Sequence, residues 1–297
     1  MRKPAVLSHP ATRRVAVVAA IALAAAIPFA ARAGSAPAHR PPSQPAKLAV
    51  AIEGRTAVSG PMSHPDLDHA GWSQPIRAAA SATVHPLPAT VVRGMDVSSH
   101  QGNVNWPAAA TAGARFAYVK ATESTTYTNP YFPQQYNGSY NAGLVRGAYH
   151  FALPDRSSGT AQADYFVSHG GGWTRDGRTL PPALDIEYNP YGPTCYGLSP
   201  ASMVSWIRAF STEVHARTGR YPVIYSTRNW WVDCTGNNAG FGATNPLWIA
   251  CYCASAGTMP AGWSFQTIWQ FASTGPLPGD QNYFNGSYAR LQALANG

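Results

Sequence analysis

Leu184-Asp185-Ile186-Glu187 holds the pair of residues best spaced to do chemistry in this chain. It closes an apolar run, Leu180-Pro181-Pro182-Ala183-Leu184. Residues two apart on a strand point to the same face. The spacing therefore predicts that Asp185 and Glu187 project together while Ile186 packs behind them. Two adjacent carboxylates resist ionising together, so one keeps its proton to higher pH. A protonated acid beside an anion is what cleavage of a glycosidic bond requires. The acid protonates the leaving oxygen, and the anion steadies positive charge at the ring carbon. The tetrapeptide alone fits an exposed strand end with two solvated acids equally well. The surrounding elements have to decide.

Short β-rich runs alternate with amphipathic or loop stretches from Val92 onward. The predicted strands are Arg93–Val97, Arg115–Ala121, Val145–Phe151, Ala183–Tyr188, Tyr221–Ser226, Pro246–Tyr252 and Thr267–Phe271, with a short run near Asn282–Phe284 completing eight. The clearest helix starts at Ser199 as N-cap with Pro200 in the first position. Met203, Ile207, Phe210 and Val214 then form an apolar stripe at helical spacing, and Gly219 stops it. Strands alternating with helices over about 200 residues point to an α/β fold with a parallel sheet or barrel. In a barrel, chemistry sits at the C-terminal strand ends. Asp96, Lys120, Tyr149, Asp185, Glu187, Tyr252 and Gln270 all fall there in this reading, which favours an enzyme.

The 91 residues before this domain differ in kind. Arg2, Lys3, Arg13 and Arg14 form a positive stretch, Val15 to Ala30 is apolar, and Ala31-Arg32-Ala33 is a cleavage site of A-x-A type. Residues 1–33 therefore read as a secretory signal and the mature protein as extracellular. The apolar run is short for a membrane anchor. Thr12-Arg13-Arg14 raises twin-arginine export but lacks that motif's usual apolar continuation. Residues 34–91 are rich in Ala, Pro, Ser and His, without periodicity, and read as a linker or pro-segment. A chain starting near Val91 is expected to fold and act at a similar rate.

Net charge is +8, but five basic residues and no acids lie in 1–33. The remainder holds 16 basic and 13 acidic residues and is mildly basic, which suits an anionic surface. No basic stripe suggests nucleic acid. The 11% of charged residues and the many aromatics suit a secreted carbohydrate-active protein. No His/Cys/Asp cluster has metal spacing and no Gly-rich phosphate loop occurs, so neither metal nor cofactor is expected.

The run Gly94-Met95-Asp96-Val97-Ser98-Ser99-His100-Gln101-Gly102 resembles the first-strand motif of glycoside hydrolase family 25, the muramidases or lysozymes of bacterial and fungal type. Seven further runs agree in order: Tyr118 to Glu123, Arg146 to Phe151, Leu184 to Glu187, Val223 to Tyr225, Leu247 to Ala250, Ile268 to Phe271 and Asp280 to Gly286. Each is weak alone; eight in sequence are specific. The resemblance implies a modified TIM-like (β/α)5(β)3 barrel over 92–297. It implies cleavage of the β-1,4 bond between N-acetylmuramic acid and N-acetylglucosamine in peptidoglycan, by a monomer. It assigns Glu187 as general acid, with a pKa raised by its neighbour's charge and the cleft. Asp185 would orient the sugar's attacking acetamido group, and Asp96 and Asp280 would hold hydroxyls and tune charge. An aspartate acting as covalent nucleophile is the older alternative.

Tyr149, Lys120, Tyr252 and Trp269 are candidate substrate-binding residues. Aromatic faces can stack on sugars, and Lys120, the only lysine after residue 91, can pair with a nearby acid. Packing within the barrel competes, most evenly for Trp269. Glu123 is expected beyond its strand as a solvated loop acid, and His150 is expected to pack. The patch Met62 to Trp72 is a candidate contact with the domain or the wall. The resemblance also implies a Cys195–Cys234 disulfide. Cys251 and Cys253 depart from the family pattern. On a strand their Cα atoms lie about 6.5–7 Å apart, leaving a strained bridge or two thiols open. A chitinase-like glycosidase also ends its fourth strand in D-x-E. It carries a further Asp two positions earlier, where this chain has Ala183. A non-catalytic wall-binding module is the third reading.

Overall fold

The structure, a computed structural model, describes Ala70 and residues 91–297. The expected signal, and the 34–91 segment apart from Ala70 and Val91, lie outside the described residues.

Five strand–helix units come first. They are β1 (Val92–Val97) with α1 (Trp106–Thr111), then β2 (Phe116–Glu123) with a short β3 (Tyr127–Thr128) and α2 (Phe132–Asn141). Next are β4 (Val145–Phe151) with α3 (Gly159–Ser168), β5 (Ala183–Asp185) with α4 (Pro200–Thr218), and β6 (Val223–Thr227) with α5 (Arg228–Thr235). Strands β7 (Leu247–Ala250), β8 (Ile268–Ala272) and β9 (Asp280–Phe284) follow without intervening helices, and α6 (Tyr288–Asn296) ends the chain. The sheet order is β1-β9-β8-β7-β6-β5-β4-β2, closed by a parallel β1–β2 pairing, so eight strands make a (β/α)5(β)3 barrel. Strand β9 runs antiparallel to both neighbours. The small β3 pairs only with β2, outside the ring.

Helix α4 follows its sequence signals. The Ser199 side chain accepts from the Ser202 N–H, Pro200 opens the helix, and Gly219 ends it in the left-handed region at φ 74°. Met203, Ile207, Phe210 and Val214 are fully buried against β4 to β7 with Phe166 and Ile249. The barrel interior is filled by Phe116, Tyr118, Val145, Tyr149, Tyr225, Trp248 and Ile268. Its size depends on Gly94, where a Cβ would collide with the Phe116 ring.

Three elements differ from the expected pattern. The strand carrying Asp185 stops at that residue instead of reaching Tyr188, so Glu187 stands just beyond it. Strand β2 extends to Glu123, which is buried rather than solvated. Strand β9 begins at Asp280, two residues before the expected run.

Candidate active site

One end of the barrel collects the acids. Asp96 lies one residue before the end of β1, and Asp185 ends β5. Asp280 opens the antiparallel β9 and pairs in register with Asp96, so its N-terminal position reaches the same mouth. The turn before it is tight: Gly279 has φ 74°, and a Cβ there would collide with the Asp96 carbonyl. Ile186 is buried in the outer core, so Asp185 and Glu187 flank a packed residue as the alternation predicts. The four acids are 0–3% exposed.

Asp96 and Asp280 are held by amides. Asp96 Oδ2 accepts from Asn282 Nδ2 at 2.6 Å and from Gln270 Nε2 at 3.0 Å. Asp280 Oδ2 accepts from Gln270 Nε2 at 3.2 Å and from the Tyr252 hydroxyl at 3.3 Å. Asn282 is itself fixed by Trp248 Nε1, which donates to its Oδ1 at 2.8 Å. Gln270 Oε1 faces the hydroxyls of Tyr225 at 3.0 Å and Tyr252 at 3.2 Å. Gln270 is thus a hub between two carboxylates and two phenols.

Asp185 is the opposite case. Both of its carboxyl oxygens are buried and neither has a hydrogen-bond partner. Burial raises its pKa well above the ordinary carboxylate range. The charge of Glu187 adds to this, Lys120 opposes it, and Asp96 and Glu123 add smaller increments. The sequence reading placed an upward push on Glu187; Asp185, the carboxyl without donors, carries one as a direct result of its burial.

Tyr149 and Tyr252 stand over the cluster. Burial pushes both phenols up, and the next contributions are Asp96 and Asp185 for Tyr149, and Asp280 and Asp96 for Tyr252. Lys120 is fully buried with Nζ 2.6 Å from Glu123 Oε2, and the Tyr191 hydroxyl donates to Glu123 Oε1 at 2.7 Å. Trp269 is placed differently. It sits on the strand face opposite Gln270, half-buried beside Phe271 and Tyr283, with Nε1 donating to the Cys251 carbonyl at 2.8 Å. That surrounding is wall packing. His150 packs between Phe166 and Phe210, its ring nitrogens 2.8 Å from Thr122 Oγ1 and 2.9 Å from Gln162 Oε1. Burial lowers its pKa to about 3.

Cys195 and Cys234 are bonded, with Cα atoms 5.3 Å apart. Cys251 and Cys253 are also bonded, at 5.2 Å, because the chain leaves β7 at Ala250 and is no longer extended. Sequence reasoning named Gln270 only as a strand-end residue, and it missed Asn282 and Tyr225. The alternation of Asp280 and Asn282 on one strand was the available signal for Asn282.

The family model described as glycosyl hydrolases family 25 matches residues 95–280. Lysozyme M1 of Streptomyces globisporus is 52% identical over 219 residues, 72% of this chain and 74% of that protein. The N,O-diacetylmuramidase of Chalaropsis sp is 53% identical over 210 residues, 69% of this chain and 100% of that protein. Among solved structures, the muramidase from Acremonium alcalophilum superposes with a TM-score of 0.69 at 54% identity, covering 69% of this chain and 99% of the other.

Proposed function

The chain belongs to glycosyl hydrolases family 25, and we propose that it hydrolyses the β-1,4 bond between N-acetylmuramic acid and N-acetylglucosamine in peptidoglycan. The observation that carries the mechanism is Asp185, a buried carboxyl with both oxygens unpartnered beside Glu187. An unmet acceptor in a substrate cleft costs free energy until a donor arrives. The N–H of a 2-acetamido group is such a donor. Its arrival favours ionised Asp185 and leaves the shared proton on Glu187. Glu187 then protonates the leaving glycosidic oxygen while the acetamido oxygen attacks the anomeric carbon. The ring that forms carries positive charge, which Asp185 steadies. Water next attacks the same carbon, gives a proton to Glu187, and the acetamido group is released. Two displacements give net retention. Asp96 and Asp280, fixed by Gln270 and Asn282, hold hydroxyls and supply negative charge as the sugar becomes cationic.

Muramidases of similar sequence support the substrate, and a mouth lined by acids, Gln270, Asn282 and tyrosines suits a polar polymer. Catalysis is assigned to residues 92–297, and the signal-like residues 1–33 assign the enzyme to the extracellular space. Wall turbidity and chitin release, measured side by side, test the substrate. Clearing of walls without chitin release is the expected result. Chitin release alone would establish the chitinase-like reading, and binding without cleavage of either would establish a wall-binding module. NMR of the first-formed reducing end should show retention; inversion would exclude acetamido participation.

A further inference from the structure

Cys251 and Cys253 sit at the rim of the mouth with Tyr252 between them. Strand β7 ends at Ala250, and both backbone groups of Cys251 are tied to β8. Its N–H donates to the Gln270 carbonyl at 3.1 Å, and its carbonyl accepts from Trp269 Nε1 at 2.8 Å. Cys253, Ala254 and Ser255 then run exposed. Tyr252 is buried all the same, with its hydroxyl 3.3 Å from Asp280 Oδ2 and 3.2 Å from Gln270 Oε1. A ring aimed at an active-site acid thus hangs from the point where the chain leaves the sheet.

The bridge closes that point. Ala250 belongs to the interior cluster and the Tyr252 ring enters the mouth, so by alternation Cys251 and Cys253 turn to the outer side. An extended chain would hold their Cα atoms about 6.5–7 Å apart. They are 5.2 Å apart. Drawing them together on the outer side bows Tyr252 toward Asp280. Stability is a poor account of such a bond. In the chain-entropy model stabilisation grows with the length of the closed loop, and this pair is 2 residues apart where Cys195 and Cys234 are 39 apart. What a bond across one residue constrains is the backbone of that residue.

We propose that the Cys251–Cys253 bridge is a positioning device for Tyr252, holding its hydroxyl on Asp280 before substrate arrives. Gln270 and Tyr252 then fix Asp280 in advance. Groups preorganised around developing charge act on the transition state, so loss of the bridge lowers kcat and leaves KM nearly unchanged. The effect on rate rests on the mouth being the glycan site; the positioning of Tyr252 does not.

The test compares the full chain, its Cys251→Ser/Cys253→Ser variant, Tyr252→Phe and all three changes combined, on soluble glycan fragments. A misplacement of about 1 Å can cost about 10²-fold. A released ring still finds its place part of the time, so the serine pair should lower kcat about tenfold. Tyr252→Phe loses the hydroxyl and should lower kcat too, and the combined variant should be no slower than Tyr252→Phe alone. Melting temperatures should stay close to that of the parent. Losses that multiply in the combined variant, or a lower melting temperature at unchanged kcat, would overturn the proposal, because the bridge then serves the fold. A water-soluble phosphine repeats the test without substitution. It becomes its oxide with oxygen from water while the sulfur–sulfur bond becomes two thiols. The parent should slow and Tyr252→Phe should not respond; an equal response in both overturns the proposal. NMR reads the positioning without catalysis. The Tyr252 ring signals, assigned by their loss in Tyr252→Phe, should move in the serine pair, and unmoved signals overturn the proposal. If the signals move but no chain cleaves glycan, the glycan reading fails and the positioning stands.

Discussion

Asp96 and Asp185 sit at two strand ends of one barrel mouth and are treated in opposite ways. Asp96 accepts from Asn282 and Gln270 and is fixed in place by a network that continues to Trp248 and Asp280. Asp185 is equally buried and accepts from nothing. Charge-assisted hydrogen bonds contribute about 1.5–3 kcal/mol each, and a buried acceptor left unmet costs a similar amount. One carboxylate is thus built to stay as it is, and the other is built to wait. The fold leaves the deficit at Asp185, where the proposed acetamido donor would remove it, and makes no such exception at Asp96.

The largest effect should come from the waiting pair. Glu187→Gln keeps the shape but cannot give a proton, and turnover should fall roughly 10²–10⁴-fold. Asp185→Asn should be damaging too, and the double variant should lose much less than the sum, because both groups serve one transition state. Steady-state rates on soluble fragments, with folding checked by circular dichroism, decide this. Full activity in Glu187→Gln would dissolve the contrast.

Stability should separate the two aspartates in sign. The folded pKa of Asp185 is raised, so the folded chain holds a proton that the unfolded chain loses above about pH 4. Its contribution is present below that pH and is lost as pH rises through the folded value. Asp185→Asn cannot titrate, so at pH 7 it should melt higher than the parent, by about 2–4 °C per kcal/mol recovered. Asp96→Asn should melt lower, since the amide donors then meet a neutral and partly donating group. Thermal melts of both at pH 7 and pH 4 test this, and shifts of the same sign would contradict it.

Lys120 and Glu123 give a third way of handling a buried carboxylate, by ion pairing at 2.6 Å. Lys120→Met should destabilise by about 3–5 kcal/mol, since Glu123 is left charged and buried. Adding Glu123→Gln should restore much of that loss. Denaturant melts of the two single variants and the double measure the coupling, and simple additivity would argue against it.

The smallest effect near neutral pH belongs to His150, fully buried and neutral with a pKa lowered to about 3. The unfolded chain takes up a proton below about pH 6.5 and the folded chain does not. Stability conferred by the neutral ring is therefore present above pH 6.5 and is lost as pH falls toward 3, by up to about 1.4 kcal/mol per pH unit. His150→Asn should flatten that acid limb by one proton, read from unfolding free energies at several pH values.

Much of this protein follows from local rules that act along the chain. The Ser199-Pro200 start and Gly219 stop of α4 need only capping and backbone preference, and both are present in the structure. The motif order from Gly94 to Gly286 likewise carried the barrel and its four acids. What the sequence could not determine are quantities that depend on neighbours from distant segments. The end of β5 at Asp185 depends on pairing with β4 and β6, and the start of β9 at Asp280 on pairing with β1. Glu123 looked solvated until β2 carried it inward beside Lys120. Cys251 and Cys253 left a strained bridge or two thiols open until the chain left β7 and brought their Cα atoms to 5.2 Å. The hub role of Gln270 links Asp96, 174 residues away, with Tyr225, 45 residues away. Backbone preference is a property of a residue and its neighbours in sequence. Burial, hydrogen-bond satisfaction and pKa are properties of what surrounds a group in space, and only the closed barrel supplies that.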